Sequence, residues 1–177
     1  MITYRKLTRS EINLLHQIDR TETITHIYHE RNGQLVLEPE HYDVPDWSPE
    51  SKQERIEKLQ AVFDKGATFF GAFAGDQLAG MSALDHNFVQ TGEQRLNLEG
   101  LWVSAKYRGQ GVGRSLFQLA ATEARQHSAQ LMYVSATPSE NTVHFYQNLG
   151  CQRADPVDPV LFEKEPEDIH FELVLDG

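Results

Sequence analysis

The chain carries its chemistry most visibly at 103–115, Val-Ser-Ala-Lys-Tyr-Arg108-Gly109-Gln110-Gly111-Val112-Gly113-Arg114-Ser115. An apolar run over 98–103 ends here, and an amphipathic run starts near Gly111. A glycine-rich turn therefore joins a strand to a helix. Without a Cβ, glycine lets backbone N–H groups approach an anion closely. A helix start adds unpaired donors and the positive end of its dipole. Such a turn can cradle a pyrophosphate. Arg108 and Arg114 bracket it and can offset phosphate charge. The glycines do not follow G-x-G-x-x-G, and no Lys-Ser/Thr closes a P-loop. What remains is Arg-x-x-Gly-x-Gly at 108, 111 and 113.

Two further segments bear on the chemistry. In 96–103, Glu99 is the only ionisable residue. A carboxylate in an apolar strand is costly unless it is used or paired, and partial burial would raise its pKa toward a base's working range. It either serves as a base or faces solvent or a nearby cation. Then Leu131 to Ala136 reads as a buried strand, and Thr137-Pro138-Ser139-Glu140 as a capping box with an early proline. The helix passes through Val143, Phe145 and Tyr146 to Leu149-Gly150, where glycine suits a C-terminal cap.

These two motifs in this order resemble the GCN5-related N-acetyltransferase family, also called GNAT. The first matches its acetyl-CoA signature. In the second, Tyr146 and Gly150 keep the family's spacing, and Cys151 replaces its usual aromatic. The resemblance covers about 68–153 well and the rest loosely. It implies a three-layer α/β/α fold with a mixed, centrally splayed sheet. It implies that pantetheine pairs with the backbone of Leu101, Trp102 and Val103, and that Gly100 suits the bulge that opens the splay. Arg108, Gly109, Gln110, Gly111, Val112, Gly113, Arg114 and Ser115 would hold the diphosphate. Acetyl-CoA would be the acetyl donor, Tyr146 the acid for the leaving thiolate, and Glu99 the base, directly or through water. One departure concerns the family's asparagine, whose place here is Ser139; the asparagine stands at Asn141. Either residue could meet the cofactor.

The reaction so implied is direct transfer of acetyl to a primary amine in a ternary complex, with a protein or peptide amine as the other acceptor class. A cofactor-binding module without turnover is the alternative from a different class. Holding both reactants together is itself worth about 7–11 kcal/mol of barrier. On the acceptor side, Tyr42, Asp43, Asp46 and Trp47 pair aromatics with carboxylates, a mixture that can hold an ammonium. It could equally be a loop with two packed aromatics.

Composition narrows the classes. A chain of 177 residues, 40% hydrophobic and 24% charged, can bury a core. It shows no membrane-span run, no signal-peptide core at its start, and one cysteine, which together lead us to expect a cytoplasmic protein without a disulfide. The net charge of −10 argues against nucleic acid as a partner. Residues 154–177 hold eight acids against Lys164, whereas 104–127 hold four basic residues against Glu123. That asymmetry fits an anionic cofactor and a cationic small-molecule amine. No H-x-x-x-H helix or Cys/His cluster appears, so no metal is expected. Homodimerisation is left open.

The elements that must position these residues can be read in order. Ile2 to Leu7 forms a strand, and Thr8-x-x-Glu11 caps a helical stripe of Ile12, Leu15 and Ile18. Two extended runs, 23–28 and 34–38, flank Asn32-Gly33, a hairpin signal. Residues 41–49 read as irregular. Ser48-Pro49 opens a helix with Ile56, Leu59 and Phe63 on one face. Strands follow at 68–74, 78–85 and 95–103, then a helix over 111–127, the 131–136 strand, the 139–149 helix, a proline-bearing acidic stretch, and a last strand over 169–175. We expect one domain over 1–177, with 1–66 on the substrate side, 68–153 as the cofactor core, and 154–177 as a closing loop and strand.

Overall fold

The computed structural model describes residues 1–88 and 94–175. Asp176, one of the acids counted above, lies outside that range. Strands β1 (Ile2–Lys6), β4 (Thr68–Ala74), β5 (Gln77–Phe88), β6 (Arg95–Val103), β7 (Leu131–Ala136), β8 (Gln152–Arg153) and β9 (Ile169–Val174) form one sheet in the order β1-β4-β5-β6-β7-β9-β8. Its pairs are antiparallel except β6 with β7, which run parallel. That exception follows from connectivity, because helix α2 (Val112–Gln126) carries the chain back between them.

Each face of the sheet is covered by helix. On one side lie α1 (Pro49–Asp64) and a 3-10 segment over 10–17, burying Ile12, Leu15, Ile56 and Leu59 against Phe69 and Met81. On the other lie α2 and α3 (Glu140–Gln147), burying Phe117, Ala120 and Val143 against Leu96 and Leu98. This is the three-layer α/β/α plan with a mixed sheet. The local signals hold. Ser48 Oγ caps α1 by accepting from Ser51 N, and the Glu11 carboxylate accepts from both Thr8 N and Thr8 Oγ1. The stripe that this capping box opens tightens into 3-10 geometry instead of an α-helix.

One expectation is corrected. Residues 41–44 are strand, because β2 (Glu22–Arg31) and β3 (Gln34–Val44) form an arm that pairs from Arg31↔Gln34 to Glu22↔Val44. Asn32 and Gly33 turn it with φ of 53° and 78°, the double left-handed geometry of a two-residue hairpin. The arm lies outside the main sheet and docks on α3: Tyr28 N donates to Pro138 O at 2.8 Å, and Tyr28 Oη meets His144 Nε2 at 2.8 Å. A second addition is a short helix, α4 (Pro159–Lys164), inside the acidic stretch. Asp158 caps it, with one carboxylate oxygen accepting from Val160 N and Leu161 N.

Candidate functional site

The sheet opens at its centre. Parallel pairing of β6 with β7 runs from Arg95↔Leu131 to Leu98↔Val134 and stops. On the other edge of β6, Leu84 pairs with Leu98 and Ala83 with Gly100, so Glu99 is an extra residue. That is a bulge, which bends a strand and re-aims its side chains. Beyond it, the β7-facing backbone edge of Leu101 to Val103 faces Ser135 and Ala136 across a gap. Gly100 is required there: a Cβ would fall 2.0 Å from the Trp102 ring. The gap widens into a cavity of about 880 Å³ that reaches from the glycine turn to α4.

The turn forms one end of that cavity. Gly109 and Gly111 have φ of +72° and +81°, and a Cβ at either would project into open space. Gly111 is the N-cap of α2 and offers no side-chain acceptor to the first-turn N–H groups, which an α-helix cannot satisfy internally. Gly113 lets α3 approach, since its Cβ would lie 3.3 Å from the Phe145 ring. Arg108, Gly109, Val112 and Arg114 line the wall along with Gly111 and Gly113, whereas Gln110 and Ser115 do not. Gln110 instead donates to Lys106 O. Arg108 is held in place, its Nε donating to Val103 O at 3.0 Å and its NH1 to Thr21 O at 2.8 Å.

Two carboxylates and a phenol stand in the middle. Glu99 Oε2 accepts from Asn97 Nδ2 at 3.0 Å, and Oε1 accepts from Lys164 Nζ at 2.7 Å. The carboxylate is therefore both in the cavity and ion-paired. Tyr146 is buried and reaches the cavity wall. Burial pushes its hydroxyl well above the ordinary phenol value, with the nearby Cys151 and Asp168 adding to the shift. Asp168, just before β9, also lines the cavity, and burial followed by the neighbouring Glu165 raises its carboxyl to about 6. Sequence reasoning passed over Asp168 because it sits in an acidic stretch with no apolar pattern around it.

The start of α3 separates two candidates. Ser139 is buried as the N-cap, its Oγ accepting from Thr142 N and donating to Thr142 Oγ1. It does not line the cavity, while Asn141 does. Of the acceptor-side residues, only Trp47 lines it. Tyr42 is exposed on the arm and donates to Glu40, and Asp43 accepts from Thr23 Oγ1. Asp46 is a structural hub: burial opposes its charge, yet Lys52 Nζ at 2.7 Å and the N–H groups of Arg20 and Trp47 hold its carboxyl below the usual range. Extended β3 explains the split, since it carries Tyr42 and Asp43 along the arm before Val44 and Trp47 reach the cavity.

Cys151 is buried, and burial pushes its thiol up to about 12, which keeps it protonated and a poor nucleophile. Away from the cavity, His86, Glu123 and His127 bring their ligand-type atoms within 4.8 Å of one another. No sequence motif announces this group, because β5 supplies His86 and the far end of α2 supplies the other two. Glu123 already holds Lys6 Nζ at 2.8 Å and Thr68 Oγ1 at 2.9 Å.

The architecture has solved counterparts. Nourseothricin acetyltransferase superposes with a TM-score of 0.73 at 20% identity, covering 99% of each chain. The PaiA N-acetyltransferase of Thermoplasma acidophilum, solved with coenzyme A, does so at 0.63 and 18% identity, covering 98% of this chain and 99% of that one. At this identity the likeness speaks for the fold. By sequence, the streptothricin acetyltransferase of Streptomyces lavendulae is 32% identical over 84 residues, 47% of this chain and 43% of the relative. N-acetyltransferase 8 of Rattus norvegicus is 30% identical over 92 residues, 51% of this chain and 41% of the relative. The chain thus spans less than half the length of the curated relatives it matches. Residues 21–151, which take in the arm, the bulge, the turn and α3, match the profile of the acetyltransferase (GNAT) family, and the chain belongs to that family.

Proposed function

We propose that the chain moves an acetyl group from acetyl-CoA to a primary amine of a small molecule, with both bound at once. The observation that carries this is the opening between β6 and β7. It begins at the bulge on Glu99 and leads from an uncapped helix start into a large cavity. The residues fit the donor. Gly109, Gly111 and the first turn of α2 leave room and N–H groups for the diphosphate, with Arg114 beside them. The backbone of Leu101 to Val103 lies along the opening and, with Arg108 already on Val103 O, offers its remaining edge groups to an amide-bearing arm. Asn141 stands at the same wall. When bound, acetyl-CoA supplies the thioester carbonyl that the amine attacks.

The rest is done by side chains of this chain. Glu99 receives a proton from the ammonium, directly or through water, and the Asn97 amide and Lys164 hold its carboxylate in place. Asp168 is the second carboxylate able to do so, because a carboxyl near 6 is poised for exchange close to neutral pH. The hydroxyl of Tyr146, kept protonated by burial, gives its proton to the departing sulfur as the C–N bond forms and the C–S bond breaks, and takes back the second proton that the amine nitrogen loses. In this reading 1–66 and 154–177 form the acceptor side and 68–153 the donor side.

The test is calorimetry with acetyl-CoA together with release of free CoA across a panel of polyamines, amino acids, aminoglycosides and peptides. Binding plus turnover on a small amine is expected. Binding without any turnover would leave a cofactor-binding module, and no binding would overturn the reading altogether.

A further inference from the structure

Among the described residues, the acceptor end of the cavity holds an arginine, Arg55, whose guanidinium has no hydrogen-bonded or ion-paired acid. Arg55, on α1, places its guanidinium carbon 4.5 Å from the centre of the Trp47 ring and 5.8 Å from that of Trp102. Arg20 lies over the same Trp47 ring at 5.2 Å. The two indoles meet edge-on, 6.1 Å apart. Both arginines, and both tryptophans, line the cavity. Their position is on the acceptor face. Along β6, Leu101 and Val103 pack toward α2, while Trp102 alternates to the α1 side.

The Arg55 guanidinium makes no hydrogen bond or ion pair with another described residue, and its Nε is fully shielded without a partner. This contrasts with the arginines of the outer surface. Arg5 pairs with Glu11 and Arg9 with Asp64, both through two nitrogens. The acids that do act on Arg55, Glu165 and Glu99, do so only at longer range. Burial first, and Arg20 beside it, lower its hold on its proton. Leaving a planar five-donor group half-buried without acceptors is costly. The cost is recovered if a ligand brings the acceptors. Aromatic faces that fix the guanidinium plane leave its donor edge directed, which suits a planar two-oxygen acceptor.

We propose that the acceptor is an amine that also bears a carboxylate, and that Arg55, with Arg20 beside it, binds that carboxylate between Trp47 and Trp102. The inference rests on the amine-acetylation reading above and names its substrate class. It also adds an anionic group to the cationic amine that the charge asymmetry led us to expect. The ammonium of an amino acid is drawn to Glu99 and Asp168, and its carboxylate to Arg55, so each end of one zwitterion meets its opposite charge.

The experiment compares matched acceptors, lysine against lysinamide and 4-aminobutyrate against 4-aminobutyramide, by the rate of CoA release. The parent protein should prefer the acid of a matched pair by about tenfold to a hundredfold in kcat/KM, because an unmet buried donor rejects the analogue that lacks its acceptor. In Arg55→Gln that ratio should fall toward one, mainly through KM for the acid. Arg55→Lys should fall in between, since it keeps the charge and loses the fork. Circular dichroism melts confirm the fold of each variant, and the lysine variant serves if the glutamine variant unfolds. Turnover without preference for the acid, or a preference untouched in a folded Arg55 variant, overturns the proposal alone. If acetyl-CoA does not bind in calorimetry, or no amine turns over, the underlying reading falls and this one with it.

Discussion

Lys164 Nζ stands 2.7 Å from Glu99 Oε1, tying helix α4 to the bulge of the central sheet. The contact joins the least patterned part of the sequence to its most constrained strand. Lys164→Ala should release Glu99 and loosen α4. Because the lysine is about half exposed, the stability loss should stay near or below about 1 kcal/mol. Activity should fall more than stability, and the deficit in the parent should be mimicked in part by high salt. Melting curves and CoA-release rates at two ionic strengths check this.

The glycine turn separates binding from folding. Gly111→Ala forces a left-handed backbone on a residue with a Cβ, at roughly 1–2 kcal/mol, yet meets no neighbour. Gly111→Glu adds charge to the same open space. Both variants should fold, and the glutamate should abolish acetyl-CoA binding in calorimetry. Tight binding by Gly111→Glu would remove the turn from the site.

Gly100→Ala tests the bulge. The new methyl would lie 2.0–2.7 Å from the Trp102 indole. Trp102 must move, and overpacking of this kind costs about 1–3 kcal/mol. Denaturant melts should show that loss, and indole fluorescence should change with it because Trp47 packs edge-on against Trp102.

The two carboxylates can be told apart by pH. Glu99→Gln should lower kcat by about 10²–10⁴-fold if it is the base. Asp168 has a folded value of about 6 against 3.8 unfolded. The fold therefore favours its protonated form. That contribution is fully present below 3.8 and is lost as pH rises through about 6. Asp168→Asn should thus melt higher than the parent at pH 8 and near the parent at pH 4. If Asp168 is the base, the acidic limb of kcat/KM near 6 should vanish in Asp168→Asn and survive in Glu99→Gln.

Tyr146→Phe should slow turnover by about a hundredfold or more while leaving acetyl-CoA affinity nearly unchanged. The basic limb should show no phenol titration in the parent, because burial holds the hydroxyl protonated well above the working range.

The sequence was most legible where one element feels two faces. The bounds of β6 and β7 could be read directly because each is a buried apolar run ended by turn residues. The cradle was legible because only glycines reach its φ values. The arm was harder. Its strands stand outside the main sheet and bury little beyond Ile24, Tyr28 and Leu35, and Tyr42 and Asp43 lie on its exposed end without the alternation that marks a half-buried strand. The choice between Ser139 and Asn141 depends on a helix start: Ser139 is taken up as the cap, and Asn141 is left at the cavity wall. Arg55 and Asp168 were invisible for a different reason. A helix is recognised by its apolar stripe, and Arg55 lies off that stripe. Asp168 acquires its character only when β9 folds it beside Tyr146 and Glu165.

The sheet stops pairing at Leu98 and Val134 with its strands continuing past that point. Its hydrogen-bond ladder is thus unfinished in the free protein, and whatever threads the opening completes it as a temporary strand. The amides of Leu101 and Val103, which alternate away from β5, should then exchange with solvent readily when the protein is alone and slowly when it is filled. By mass action, filling stabilises the whole fold by about 2.7 kcal/mol at a hundred times the dissociation constant. The lifetime of the folded chain would therefore rise and fall with the supply of its own ligand.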